Sequence, residues 1–219
     1  MNHFPTLKIE HEFGYPKRTI IGLDEVGRGC IAGPVVAAAA VLPAGLESAR
    51  SSWSPEWLRD VQDSKKLSVR AREELSEKLK GWLAGYSVAY CSSDEIDEIN
   101  IHHASLLAMD RALEAIPAKD RKNAYHLVDG KWLTKSLKSS SAKAIIKGDL
   151  KCLSIACASI IAKVHRDQWM ERLDQEFQGY GLAKHKGYPT AAHVKALGTL
   201  GVTSIHRKTF GPVSRALQS

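Results

Sequence analysis

Residues 20–29 constrain the chain most. Ile20-Ile21-Gly22-Leu23 is an apolar run that stops at two adjacent carboxylates, Asp24 and Glu25, and then breaks into Gly27-Arg28-Gly29. An apolar run this short, closed by turn residues, predicts a buried strand that delivers both acids to its own end. The glycines let the chain turn tightly there, or let another backbone come close. Neighbouring acids raise each other's pKa, so holding them together calls for a cation, and a divalent metal meets that need. The dipeptide by itself also fits a solvated loop, because Asp and Glu are mostly exposed.

The same pattern returns twice. Ala124-Tyr125-His126-Leu127-Val128-Asp129-Gly130 is a second apolar strand that ends in an acid and a glycine, and Ala144-Ile145-Ile146-Lys147-Gly148-Asp149 is a third. Strands of one sheet that each finish in a carboxylate gather those acids on one edge. Asp149 has another reading, as the N-cap of the helix that follows, since an acid near a helix N-terminus is stabilised either way.

Periodicity supplies the remaining elements. Residues 34–42 read as a strand stopped by Pro43, 51–60 as a loop packing Trp53 and Trp57, and 68–80 as a helix capped by Ser68 with Leu75 and Leu79 inward. Residues 86–91 read as a strand, Ser93 as the cap of a short acidic turn, and 101–115 as a helix ended by Pro117, with His102 and His103 on its surface. The long helical pattern over 153–178 carries small residues (Ala156, Ala158, Ser159, Ala162) that allow close approach to a sheet, and Gly179 ends it. Within it Asp167 lies four residues after Lys163, the spacing of an ordinary helical ion pair. The Ser-rich stretch 136–141 reads as a loop, and Thr190 caps a last helix closed by Gly201.

At 219 residues and 44% hydrophobic content the chain suits one domain with a small appendage. The expected division is a loosely held arm over 1–17, a main body over 18–178 and a helical extension over 179–219 belonging to the same unit. Lys and Arg number 31 against 24 Asp and Glu, a net charge of +7 that favours a polyanionic partner. Two basic clusters with interleaved rings, Lys184-His185-Lys186-Gly187-Tyr188 and Ile205-His206-Arg207-Lys208-Thr209-Phe210, suit nucleic acid. Tyr188 equally fits a turn residue packed on the core. Lys65 and Lys66, just ahead of a helix start, fit either phosphate contacts or a solvated turn. The four cysteines form no CxxC pair and no zinc spacing, so free thiols in a reducing cytosol are expected. With no signal-like N-terminus and no apolar run long enough for a bilayer, the expectation is a cytoplasmic protein without membrane contact.

The motifs in their order resemble the bacterial type 2 ribonuclease H family. The resemblance rests on Asp24-Glu25-Val26-Gly27-Arg28-Gly29 with Gly33-Pro34-Val35, Asp63-Ser64-Lys65-Lys66-Leu67, Val128-Asp129-Gly130 and Lys147-Gly148-Asp149. It continues through Ala158-Ser159-Ile160-Ile161-Ala162-Lys163-Val164, Arg166-Asp167, His185-Lys186-Gly187-Tyr188 and Ile205-His206-Arg207, and spans about 19–213. It implies an α/β fold: a ribonuclease H-like mixed central sheet flanked by helices, with a small helical C-terminal extension. It implies hydrolysis of the RNA strand of RNA/DNA hybrids, including single ribonucleotides in duplex DNA, cut on the 5′ side to leave a 3′-hydroxyl and a 5′-phosphate. The implied ligands of two divalent ions, Mg²⁺ or Mn²⁺, are Asp24, Glu25, Asp129 and Asp149. The implied substrate contacts are Gly27, Arg28 and Gly29 at the 2′-hydroxyl, Tyr188 stacked at the RNA–DNA junction, and Lys65, Lys66, Lys163, Lys186 and Arg207 at phosphates. Cys152 and Cys157 depart from the serine and alanine usual there. Another acidic-cluster nuclease of the same fold, or a non-catalytic hybrid-binding protein, are the competing readings, and a monomer is the expected state.

Overall fold

The computed structural model describes residues 5–46, 55–61 and 67–218. A short helix α1 (Lys8–Glu12) precedes the strands β1 (Ile20–Val26) and β2 (Val35–Val41), followed by α2 (Val69–Trp82) and β3 (Gly85–Cys91). Then come α3 (Ser93–Ala115), the single turn α4 (Ala118–Arg121), β4 (Tyr125–Asp129) and β5 (Ala142–Ile145). The long α5 (Leu153–Glu176) leads to α6 (Leu182–His185), α7 (Ala191–Leu200) and α8 (Gly211–Ala216).

The strands form one sheet in the order β3-β2-β1-β4-β5. β2 is antiparallel to β1 and β3, whereas β4 is parallel to β1 and β5, so the sheet is mixed as expected. Alternate residues feed two cores. Ile20, Ala38, Ala40 and Leu127 pack with α2 and α5 on one face, while Ile21, Leu23, Ala37, Ala39 and Val128 pack with α3 on the other. β2 is buried along its whole length, which explains its unbroken Val/Ala run. Its small side chains keep both helical layers close. Gly22 does the same on β1, where a β-carbon would lie 2.2 Å from the Ser154 carbonyl carbon of α5.

Register brings the acids together. Leu23 lies opposite Val128 in the parallel β1–β4 pair, so the next residues, Asp24 and Asp129, stand side by side on neighbouring strands. Asp129 in turn pairs with Ile145 of β5. The chain then turns through Lys147, held left-handed at φ 55°, into a single 3₁₀ turn, Gly148–Leu150, that carries Asp149. Asp149 is therefore not the N-cap of α5. That position belongs to Cys152, which makes no side-chain cap bond.

The missing cap comes from the N-terminal segment. Glu10 is fully buried, and its Oε1 accepts hydrogen bonds from the Ser154 backbone N–H and hydroxyl, both at 2.9 Å. Leu7 and Tyr15 are buried beside it. The expected loose arm is thus pinned over its described residues, because the first turn of α5 needs an acceptor that its own sequence lacks.

Three further details differ from expectation. Ser92, not Ser93, caps α3, in a reciprocal capping box with Glu95, and Ser93 instead donates to the Ile205 carbonyl at 2.7 Å. The acidic turn is therefore itself helical as far as a break at Asn100 (φ 62°, ψ 161°), whose Oδ1 accepts from the His102 and His103 N–H groups, so that the helix expected from Ile101 starts there. α8, with proline in its first turn, was not anticipated. Trp57 packs edge-on against Trp82 at 5.9 Å, and Trp53 lies outside the described residues. The extension joins the body through a third core of Ile31, Met170, Tyr180, Leu182, Leu197 and Val213. All four cysteines are buried free thiols, and no helix among the described residues is long and apolar enough to cross a membrane.

Candidate active site

Carboxylate oxygens of Asp24, Glu25 and Asp129 lie within 4.8 Å of one another at the shared end of β1 and β4. Asp24 is only 6% exposed. Its backbone partner is the Glu25 N–H, bonded to Oδ1 at 2.8 Å, and the Ser159 hydroxyl also donates to it. Burial, then the charges of Glu25 and Asp129, hold the Asp24 carboxyl well above the ordinary carboxylate range, and Asp149 adds to the push. Burial also raises Glu25, although Arg28, whose Nη1 sits 3.3 Å from Glu25 Oε1, opposes the shift. Asp129 is oriented by the Gly148 N–H, which donates to its Oδ1 at 2.6 Å. The turn carrying Asp149 is thereby tied to the neighbouring acid.

These four acids line one cleft of about 570 Å³. Its other walls include residues 26–29, Tyr188, Lys163, Lys184, Lys186 and Arg72, together with Ser159 and a fifth acid, Asp167. The 27–29 loop is built against a buried cation. Gly27 takes φ +96°, and a β-carbon there would meet Arg166 Nε at 2.2 Å. Arg166 itself is fully buried and donates to the carbonyls of Pro34 (2.9 Å), Lys186 (2.8 Å) and Ala32 (3.2 Å). It therefore ties the loop after β1 to the segment before Tyr188. The Tyr188 ring, 40% exposed, lies beside Gly29, where an added methyl would stand 3.8 Å from it.

Arg207 requires a correction. Expected at a phosphate, it is fully buried, with Nε and Nη2 donating to the Gly33 carbonyl (3.0 and 2.9 Å) and Nη1 to the Arg28 carbonyl at 3.1 Å. It braces the loop from behind, and burial pulls its pKa down to about 10. Lys163 and Lys186 do reach the cleft. Lys163 pairs with Asp167 at 2.7 Å, and Lys186 with Glu171 at 2.5 Å. Lys65 and Lys66 lie outside the described residues.

Four residues escaped the reading of the sequence. Arg72 sits on the inward face of α2 in register with Leu75 and Leu79, 3.5 Å from Asp167. A charge at an apolar-face position was the available signal. Lys184 belongs to a basic cluster beside a ring, and Arg166 and Ser159 lie on the long helix among residues that share their polarity or size. Nothing local distinguished them.

The donor set fits a hard divalent cation. Three carboxylates within one ligand sphere, mutually repelling and partly desolvated, offer the oxygen ligands that Mg²⁺ and Mn²⁺ prefer.

Comparison with known proteins agrees with this geometry. Residues 21–213 match the family model Ribonuclease HII. A ribonuclease HII of Myxococcus xanthus is 47% identical over 199 residues, which cover 90% of this chain and 63% of that one. The chain thus spans less than two thirds of that relative. A ribonuclease HII of a Marinomonas species is 42% identical over 199 residues, covering 91% of this chain and 93% of its own. Among solved structures, the ribonuclease H2 of Pyrococcus horikoshii superposes with a TM-score of 0.71 at 27% identity, covering 91% of this chain and 97% of that one. With the sheet topology and the acidic cleft, the match over nearly the whole chain places it in the ribonuclease HII family, as a ribonuclease H of type 2.

Proposed function

We propose that this enzyme hydrolyses the RNA strand of RNA/DNA hybrids and also cuts duplex DNA at single embedded ribonucleotides. The cut falls 5′ of the ribonucleotide and leaves a 3′-hydroxyl and a 5′-phosphate, an incision that opens repair of the embedded ribonucleotide. The observation that carries this reading is the crowding of Asp24, Glu25 and Asp129 within 4.8 Å in a cleft rimmed by lysines. A phosphodiester brought to this edge adds more negative charge, so the acids and the substrate can share the site only with cations between them.

Asp24, Glu25, Asp129 and Asp149 are the residues that would hold two divalent ions, Mg²⁺ or Mn²⁺. Bound there, such ions supply Lewis-acid stabilisation of the phosphoryl oxygens and an acidified water. The protein's own contribution is placement. The Gly148 N–H holds Asp129 and the Glu25 N–H holds Asp24, so the carboxylates are oriented before any ligand arrives. Arg28, half exposed on the lip of the cleft, and the main chain of Gly27 and Gly29 are placed to read a 2′-hydroxyl, which both donates and accepts. Tyr188 offers a face for stacking at the RNA–DNA junction, and Lys163 and Lys186 meet phosphates. The protein acts as a cytoplasmic monomer.

The test is cleavage of a duplex carrying one ribonucleotide, beside an all-DNA control, with Mg²⁺, Mn²⁺ or chelator, and with the cut mapped. Expected is metal-dependent cutting at the 5′ side of the ribonucleotide alone. Equal cutting of the all-DNA duplex, or none with either metal, would overturn the proposal. Tyr188→Ala should weaken cleavage of that substrate by roughly five- to 150-fold, the equivalent of ~1–3 kcal/mol of base stacking. A smaller loss on long hybrids is expected.

A further inference from the structure

Behind Tyr188 stands a group of histidines for which the chemistry above has no use. His193 of α7 and His206 are both fully buried, and His185 stacks on His193 with ring centroids 4.3 Å apart. Their hydrogen bonds run in one direction. The Thr203 hydroxyl lies 2.8 Å from His206 Nδ1 and could act either way, but the Thr203 backbone N–H also points at that nitrogen, at 3.1 Å, and can only donate, so Nδ1 carries no proton. The Tyr188 carbonyl accepts from His193 Nδ1 at 2.9 Å, so that nitrogen carries one. The two Nε2 atoms are 3.2 Å apart. With neutral rings, His206 Nε2–H must then be the donor and His193 Nε2 the acceptor. A further proton on either ring would set two N–H groups facing each other in a buried place. Burial lowers the pKa of both, His206 to about 4, which keeps the rings neutral.

The line of bonds ends on the main chain of Tyr188. On its other side the same segment is held by α5 and by the loop that follows β1. Arg166 donates to the Lys186 carbonyl at 2.8 Å, and the Ile31 N–H to the Gly187 carbonyl at 2.9 Å. The tyrosine is thus suspended between the catalytic body and the C-terminal extension. An apolar pair would fill the volume of the two imidazoles equally well. A directional pair with one allowed proton arrangement does something more, because together with the Thr190 N–H, which donates to the same oxygen at 2.8 Å, it fixes where the Tyr188 carbonyl stands.

We propose that His193 and His206 are positioning residues for substrate recognition: a pair locked in single tautomers that sets the Tyr188 main chain, and with it the ring, beside Gly29. The inference rests on the reading of Tyr188 as the ring that stacks at the junction. It assigns the extension a share in specificity, since α7 and the segment after it supply both rings.

The test compares His193→Phe, which keeps a ring against His185 but removes both bonds, with His193→Asn, which retains a donor for the Tyr188 carbonyl. Cleavage of the one-ribonucleotide duplex is measured in wild-type and Tyr188→Ala backgrounds. Expected for His193→Phe is a roughly five- to tenfold rise in KM with kcat nearly unchanged, consistent with loss of one or two neutral hydrogen bonds. His193→Asn should recover most of it. In the Tyr188→Ala background His193→Phe should cost less than about twofold more, because its target is already gone. Full additivity in that background, or no difference between Phe and Asn, overturns the proposal. Nitrogen NMR of the unaltered protein at pH 6 supplies a readout independent of folding in any variant. A proton on His193 Nδ1 and on His206 Nε2 is expected, and an imidazolium or the opposite tautomers would overturn the pair. If Tyr188→Ala alone has no effect, the stacking role falls and takes this inference with it. If Tyr188→Ala is impaired while His193→Phe is not, only the histidine pair falls.

Discussion

The two sides of the cleft bury charge in opposite ways. On the sheet edge, Asp24 is almost fully buried next to Glu25 and Asp129, and its carboxyl is driven well above its ordinary range by burial and by those neighbours. On the loop side, Arg166 and Arg207 are buried just as completely, yet each guanidinium spends its donors on main-chain carbonyls. The acids carry a deficit that the protein leaves open. The arginines carry a cost that the protein has already met. Charge left uncompensated marks where a ligand must enter, and charge compensated by backbone marks a frame.

The sharpest way to break this contrast is Asp129→Asn. The amide oxygen can keep the Gly148 N–H while one negative charge leaves the cluster. Cleavage should fall on the order of a thousandfold, with hybrid binding largely intact and the metal-free protein more heat-stable, not less. Normal turnover would remove Asp129 from the site. Arg166→Leu tests the opposite side. It strands three buried carbonyls and should cost about 3 kcal/mol of stability by denaturant unfolding, carrying activity down with it. A loss below about 1 kcal/mol would mean that the carbonyls find water and that the frame is soft.

The smallest effect concerns the buried acid far from the cleft. Burial raises the Glu10 carboxyl above its ordinary 4.5. Its contribution to stability is therefore complete below that value and is lost as pH rises through the folded-state pKa. Glu10→Gln keeps an acceptor for Ser154 and should flatten that slope in thermal unfolding between pH 4 and 8. Glu10→Ala leaves the first turn of α5 uncapped and should cost about 1–2 kcal/mol at low pH, and less as pH rises through the folded-state pKa. An unchanged slope in the Gln variant would show that Glu10 titrates normally, and is therefore solvated.

By itself the sequence determined the strands, the longer helices and the convergence of the acids. Apolar runs of strand length that end in Asp24-Glu25 and Asp129, and a long helical period after Asp149, are local patterns that backbone geometry enforces within a few residues. Only the tertiary structure decided which polar groups would be spent inside. Arg207 and Lys186 both stand in basic clusters beside a ring, and nothing nearby tells the cation that braces Gly33 from the one that faces the cleft. Glu10 caps a helix 144 residues away, and His193 meets a His206 held by its own turn. Such pairings depend on which main-chain groups are left without partners once the layers have packed. Every residue carries a carbonyl, and all but proline an N–H, so composition and spacing hold no record of which will be orphaned.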